Sequence, residues 1–227
     1  MSVQDSISTI DPDSSLGDLV NQVSARARVF ERYGVDYCCH GQRSLKDAAA
    51  EAKIDLNLLQ AELLKVDTVA DPVAALHPSA LVMQVEATHH KYLWEELPLL
   101  EALAQKIHTV HGANHPELAR VSELVQLIRN DLEPHLREEE ETVFPAIQAY
   151  FKDNTPVESA QIDKLRSEHE QLGLVLAELR EVANNYELPA DACASYTMLY
   201  QRLAELESDT FRHIHLENNV IFPQLSV

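Results

Sequence analysis

The sequence predicts an all-α protein, an up-down-up-down four-helix bundle preceded by a small helical domain. Three observations carry this. Helix formers (Ala, Leu, Glu, Gln) dominate, while Gly is scarce at 5 of 227 residues, a balance that favours helix over sheet or loop. Leucines recur at helical spacing along four long segments in the second part of the chain. The connections between those segments, such as HTVHGANHP and KDNTP, are short enough for antiparallel neighbours.

The N-terminal part reads as helices of modest length. Ser15 can cap a helix over 16–33, with Leu16, Val20, Val23 and Phe30 on one stripe and Gly34 just past its end. A loop, VDYCCHGQR, follows. Ser44-x-x-Asp47 is a capping signal for a short helix over DAAAEA, and Asp55 can cap the next, over LNLLQAELLKV. A core this small is expected to lean on a partner domain, or on a second subunit in a homodimer. The stretch DTVADPVAALHPS, residues 67–79, has two Pro and no sustained helical period, so it reads as a linker between domains 1–68 and 79–227.

The bundle helices are expected over 79–108, 115–150, 157–185 and 189–222. Leu165, Leu172, Leu176 and Leu179 stripe the third; Leu199, Leu203, Leu206 and Phe211 stripe the fourth. Pro116 suits a first turn. Pro134 and Pro145 fall inside the second helix, where the missing N–H and the ring predict a kink or a shifted boundary.

One pattern appears twice. His135-x3-Glu139-x4-Phe144-Pro145 reads HLREEEETVFP, and His213-x3-Glu217-x4-Phe222-Pro223 reads HIHLENNVIFP. Residues four apart share a helix face, and imidazole with carboxylate on one face suits a transition metal. The duplication reaches further. His90-x2-Leu93-x3-Leu97-x2-Leu100 precedes the first motif, and His169-x2-Leu172-x3-Leu176-x2-Leu179 precedes the second. Two copies of a helix pair, about 80–146 and 159–224, would each supply one lone His and one His-x3-Glu. The four His and two Glu match two metal ions sharing two carboxylates, about 3.5–4 Å apart. This donor set suits iron, manganese and zinc about equally.

Each residue also has an ordinary explanation. A lone His on an apolar face is commonly a core residue, and His-x3-Glu is commonly a surface pair. The doubled pattern favours the metal. His90 is chosen over His89 because its following Leu93 and Leu97 match those after His169, and His213 over His215 because only His213 has Glu at the fourth place. His77, His108, His111 and His115 fall in loops or at helix ends and are expected to be solvated. In the run Glu138 to Glu141 only Glu139 is in register with His135, and its neighbours are expected to face solvent. Asp131, one turn before His135, and Glu168, beside His169, read equally as hydrogen-bonding or proton-relay carboxylates behind the ligands and as plain surface charge.

Composition excludes several partners. With 37 acidic against 18 basic residues, the net charge is −19, the wrong sign for nucleic acid or an anionic membrane. No apolar run approaches the roughly 20 residues of a membrane span. The acidic start, MSVQDSISTIDPDSS, lacks the apolar region of a secretory signal. Three Cys, two of them adjacent, make no disulfide framework and point to a reducing cytoplasm. Adjacent Cys38 and Cys39 sit in a loop beside His40, a setting for exposed, reactive thiols that exchange electrons, handle iron or nitrosyl, or dock a client; two small buried residues is the ordinary alternative. Cys193 reads as a packed small residue.

Val35-Asp36-Tyr37-Cys38-Cys39 followed by His40-Gly41, SEH at Ser167 to His169, and HIHLENNVIFP, in this order, resemble the repair-of-iron-centres family of ScdA, YtfE, DnrN and NorA type over nearly the whole chain. The resemblance implies a haemerythrin-like bundle with an oxo- and carboxylate-bridged centre of two non-haem irons, held by His90, His135, Glu139, His169, His213 and Glu217. It further implies repair of iron–sulfur proteins damaged by nitrosative or oxidative stress, with reduction of nitric oxide to nitrous oxide, or a nitric oxide or O2 sensor or carrier, as alternatives. Those damaged proteins and the small diatomic ligands are the implied partners. The paired Cys38 and Cys39, and Glu168 and Asp131, are the candidate catalytic residues beside the ligands. His40 departs from the family, which usually has Gly there.

Overall fold

The computed structural model describes residues 10–67 and 76–225, so most of the expected linker lies outside the described residues. Among those residues the protein is helical, with one isolated bridge between Ser15 and Ser44. Two compact units are present. One comprises Met1–Leu81 with Ile214–Gln224, the other Val82–His213 with Leu225–Val227. The boundary between them falls inside the last long helix.

In the first unit the helices are α1 (Leu16–Gln22), α2 (Ala27–Tyr33), α3 (Leu45–Glu51) and α4 (Leu56–Lys65). Ser15, Ser44 and Asp55 cap α1, α3 and α4, accepting from the backbone N–H groups of Asp18, Asp47 and Leu58. The single helix expected over 16–33 is two, because Val23 is extended (φ −144°, ψ 102°) and a 3-10 turn, Ser24–Arg26, intervenes. The break serves Arg26. Its guanidinium grips Asp67 at 2.8 and 2.6 Å and donates to the carbonyl of Leu19 at 3.1 Å, fully buried. A charge can be buried there because its donors are satisfied. Gly34 ends α2 at φ 65°, with its N–H on Glu31 and that of Val35 on Phe30, the two bonds of a Schellman close. Leu16, Leu19, Phe30, Leu45, Leu59 and Leu63 form the core.

In the second unit α6 (Lys91–His111), α7 (Glu117–Glu138), α9 (Ser159–Val182) and α10 (Ala194–Leu216) form the helical bundle, with α5 (Pro78–Val85) leading into α6 and α8 (Phe144–Asp153) continuing α7. Ion pairs stitch neighbours in a ring: Arg129–Glu101 joins α7 to α6, Arg120–Glu178 joins α7 to α9, Arg180–Glu207 joins α9 to α10, and Arg202–Glu96 joins α10 to α6. The expected leucine stripes are buried beneath them, apart from Phe211, which is half-buried.

Three boundaries differ from expectation. The last helix starts at Ala194 rather than 189, because Pro189 opens a turn closed by the Ala192 N–H. α7 runs through Pro134 without breaking. Pro145 is not inside a helix interior at all. It occupies the first turn of α8, where no intrahelical N–H is needed.

The reason lies in π turns. Residues Glu139–Val143 form one, in which the Phe144 N–H reaches back five residues to the Glu139 carbonyl. Glu217–Ile221 form the equivalent, with the Phe222 N–H on Glu217. A third, Glu86–His90, separates α5 from α6. Phe-Pro therefore marks the exit from a π turn. A Pro at that place cannot donate back to the preceding turn, which favours the wider coil.

Candidate metal centre

The three π turns carry His90, Glu139 and Glu217, each fully buried. His135 and His213 lie one turn before the two Glu, and His169 comes from the middle of α9. All four imidazoles are buried, at 0 to 7% exposure, which is rare for groups of this polarity unless they have partners.

Within the bundle unit the ligand atoms converge on Glu139. Its Oε2 is 3.3 Å from Nε2 of His90, 3.4 Å from Nε2 of His135 and 3.9 Å from Nε2 of His213. The imidazoles pair across it. Nε2 of His90 is 3.1 Å from Nε2 of His213, and Nε2 of His169 is 3.2 Å from Nε2 of His135. The rings of both pairs meet edge-on, at 64° and 68°. Two imidazoles at a right angle on one ion, with bonds of about 2.1 Å, put their nitrogens about 3.0 Å apart. Both pairs match that spacing. The ligand atoms of His90, Glu139 and His213 lie within 4.8 Å of one another, as do those of His135, Glu139 and His169. Glu217 lies one turn beyond His213 in the sequence, at the start of the π turn that follows α10.

Two carboxylates fix the rings. Nδ1 of His135 donates to Glu168 at 2.8 Å, and Nδ1 of His90 donates to Glu140 at 3.0 Å. Each bond places the proton on Nδ1 and leaves the Nε2 lone pair pointing inward, the tautomer a metal needs. The bond from His135, with Lys164 nearby, holds the Glu168 carboxyl below its ordinary value of 4.5 despite partial burial. Trp94 Nε1 also donates to Glu140 at 2.8 Å, and Phe144 stacks on His90 at 5.1 Å.

The structure thus brings Glu168 to His135. Asp131 is exposed and lies along a cleft of about 270 Å³ that is also lined by His135, Glu168 and His169. Glu140 differs from expectation, since it faces His90 rather than solvent. The sequence signal for it was the acidic run itself, because a π turn swings the residue after Glu139 back toward α6. His89 lies beside the group, with Nδ1 on Asp209 at 3.0 Å and its ring stacked on His213. His215 belongs to the first unit, bonded to Asn21 at 2.9 Å and packed on Tyr37, and burial pushes it down to about 4.

Cys38 is buried, not exposed in its loop, and Cys39 is half-buried. Cys193 is the exposed one, its Sγ 3.2 Å from Nε2 of His111. His115 is not solvated either; its side chain is 14% exposed and bonds Glu117 and Asp191, both at 3.1 Å. Among the described residues no helix is long and apolar enough to cross a membrane.

Donor type, burial and spacing fit metal binding. Comparison with known proteins agrees that this region binds cations. Residues 83–225 match the hemerythrin HHE cation binding domain, and residues 12–67 match ScdA_N, a domain of unknown function (DUF542). The chain is 31% identical over 218 residues to the iron-sulfur cluster repair protein ScdA of Staphylococcus haemolyticus, covering 94% of this chain and 98% of that one. It is 30% identical over 217 residues to the iron-sulfur cluster repair protein YtfE of Escherichia coli, covering 93% of this chain and 96% of that one. The chain belongs to the ScdA/YtfE iron–sulfur cluster repair family, with an N-terminal ScdA_N region and a C-terminal hemerythrin HHE cation-binding bundle.

Proposed function

We propose that the protein repairs iron–sulfur clusters damaged by nitrosative or oxidative stress, using a di-iron centre held by His90, His135, Glu139, His169, His213 and Glu217. The observation that carries this reading is the pair of buried imidazole couples, 3.1 and 3.2 Å apart, on either side of one carboxylate. Glu217 takes the same place after His213 that Glu139 takes after His135, which makes it the second shared carboxylate. The names of the relatives, iron-sulfur cluster repair proteins at both ends of the comparison, support the same role.

Bound iron would supply one-electron redox chemistry and affinity for a small diatomic. The chain's own residues set the conditions. Glu140 and Glu168 hold His90 and His135 in the ligating tautomer. Buried leucines at 93, 97, 172 and 176 line the helices around the site and exclude bulk water. The cleft beside His135 and His169 gives a small molecule a way in, and Glu168 at its edge can pass a proton between His135 and solvent. Partners of this activity are damaged iron–sulfur proteins. That same cleft favours a second reading, reduction of nitric oxide to nitrous oxide.

The test is reactivation of a nitrosylated iron–sulfur dehydratase, anaerobically, by iron-loaded protein and by the Glu139→Ala, Glu217→Ala double variant. Recovery with the first alone supports repair at this centre. Equal recovery with both overturns it. Nitrous oxide released in single turnover without recovery of the dehydratase would favour the second reading.

A further inference from the structure

Outside the bundle, among the described residues, one other group of ligating side chains converges. Asp36, Cys38 and Cys39 bring a carboxylate oxygen and two sulfurs within 4.8 Å of one another. We propose that these three residues form a second metal site, for a single thiophilic divalent cation of the Fe2+ or Zn2+ class. The inference goes beyond cluster repair and does not rest on it.

Distances carry the argument. Two thiolates on one tetrahedral ion, with metal–sulfur bonds of about 2.3 Å, stand about 3.8 Å apart. Here Sγ of Cys38 and Sγ of Cys39 are 3.9 Å apart. A thiolate and a carboxylate oxygen on the same ion stand about 3.5 Å apart. Sγ of Cys38 is 3.3 Å from Oδ1 of Asp36. A disulfide would require sulfurs about 2.05 Å apart and would strain the intervening peptide. The loop is therefore set for chelation rather than for a bridge between neighbours.

The surroundings pre-organise the set. Oδ1 of Asp36 accepts the backbone N–H groups of Cys38 at 3.0 Å and Cys39 at 2.9 Å, and Oδ2 accepts Nδ1 of His40 at 2.5 Å. A ligating carboxylate is normally anchored in this way. Asn219 donates to the carbonyls of Cys38 and Tyr37 at 2.8 and 3.4 Å, fixing the loop from the other side. Cys38 is buried, while Cys39 and the side chains of Asp36 and His40 are partly exposed, so an ion can enter and a fourth ligand can come from solvent or a partner. Two sulfurs select zinc and iron over magnesium or calcium. Binding releases the two thiol protons and leaves a dithiolate–metal unit.

Cobalt(II) is the probe. The bundle centre offers nitrogen and oxygen only, so a sulfur-to-cobalt charge-transfer band reports the loop. Reduced, anaerobic full-length protein titrated with Co2+ should develop this band, and in the Glu139→Ala, Glu217→Ala variant, where the bundle centre does not compete, it should saturate at one equivalent. It should persist in Cys193→Ser and in the Glu139→Ala, Glu217→Ala variant, and vanish in Cys38→Ser, Cys39→Ser. Asp36→Asn should weaken it roughly tenfold or more in affinity. Bleaching by Zn2+ or by Fe2+, added separately, identifies the ion preferred. No band in the reduced wild-type protein, or a band that survives in the Cys38→Ser, Cys39→Ser variant, overturns the proposal. The wild-type spectrum decides even if that variant fails to fold.

Discussion

Asn219 donates its side-chain N–H to the carbonyl oxygen of Cys38, at 2.8 Å and 181 residues away in sequence. The two copies of the His-x3-Glu motif differ here. Two places after the shared-type Glu, the first copy has Glu141 and the second has Asn219. The first copy can afford a solvated carboxylate. In the second, Asn218 and Asn219 both donate to the Cys38 carbonyl. The difference between EEETVFP and ENNVIFP is therefore the signature of the cysteine loop written into the far end of the chain.

Gly41 is bound to this clamp. A Cβ there would lie 2.1 Å from Oδ1 of Asn219 and 2.8 Å from the Tyr37 carbonyl. Gly41→Ala is expected to destabilise by about 1–3 kcal/mol through overpacking. Asn219→Ala should cost about 1–3 kcal/mol by removing its bonds to the Cys38 and Tyr37 carbonyls, leaving the former only the longer bond from Asn218. Chemical denaturation measures both. Because Tyr37 is a second obstacle, adding Asn219→Ala to Gly41→Ala should not restore wild-type stability.

Glu139 stands between both imidazole couples, so its loss should cost both ions. In a Cys38→Ser, Cys39→Ser background, which leaves only the bundle centre to count, Glu139→Ala is expected to bind well under one metal per chain, against about two without it. His169→Ala, which removes a ligand from one couple alone, should keep about one. Metal analysis after exhaustive dialysis separates the two patterns; equal content in both variants would show that Glu139 is not shared.

Glu140 and Glu168 touch Nδ1 of their histidines rather than the space between the couples. Replacing either with Ala should lower metal affinity about 10- to 100-fold without changing the number of ions bound. Competition with a chromophoric chelator reads the affinity. The Glu140 change should also shift Trp94 fluorescence, since Trp94 loses its acceptor.

Much of this was legible in the residues. The repeat of His, Glu and Phe-Pro pointed to the buried His and Glu side chains that gather around Glu139, and Ser15, Ser44, Asp55 and Gly34 marked their helix ends, because capping is local chemistry. What was not legible depends on non-local contacts. The break at Val23 is decided by the buried Arg26–Asp67 pair, and Asp67 lies where the sequence suggested linker. Glu140 was hidden because a regular 100° helix wheel points it away from His90. Cys38 read as exposed because loops usually are; the Asn219 that covers it is 181 residues distant.

His115 and Asp191 give a pH dependence with a definite sign. Asp191, with Glu117, raises the His115 pKa above its ordinary 6.5, and His115 lowers the Asp191 pKa below its ordinary 3.8. A raised His contributes stability below pH 6.5 that is lost as pH rises through its folded value. A lowered Asp contributes stability above pH 3.8 that is lost as pH falls through its folded value. The pair thus contributes most between those limits. NMR titration should show a His115 midpoint above 6.5 that falls in Asp191→Asn; an unchanged midpoint would remove Asp191 as the cause.

The π turns at Glu139 and Glu217 have a consequence for how this chain can vary. A π turn is one extra residue in an α-helix, so it shifts the phase of everything after it by about 100°. Upstream of each turn the helix is phased to aim His135 or His213; downstream it is phased to bury Phe144 and Ile147, or Phe222. Ligand aim and core packing thus run on separate clocks within one continuous rod. Deleting a single residue from 140–143 would close the wide turn to an ordinary α turn and so cancel that shift: Phe144 and Ile147 would stay inward and the His135 ring would keep its aim, while the turn that presents Glu139 and Glu140 would be lost.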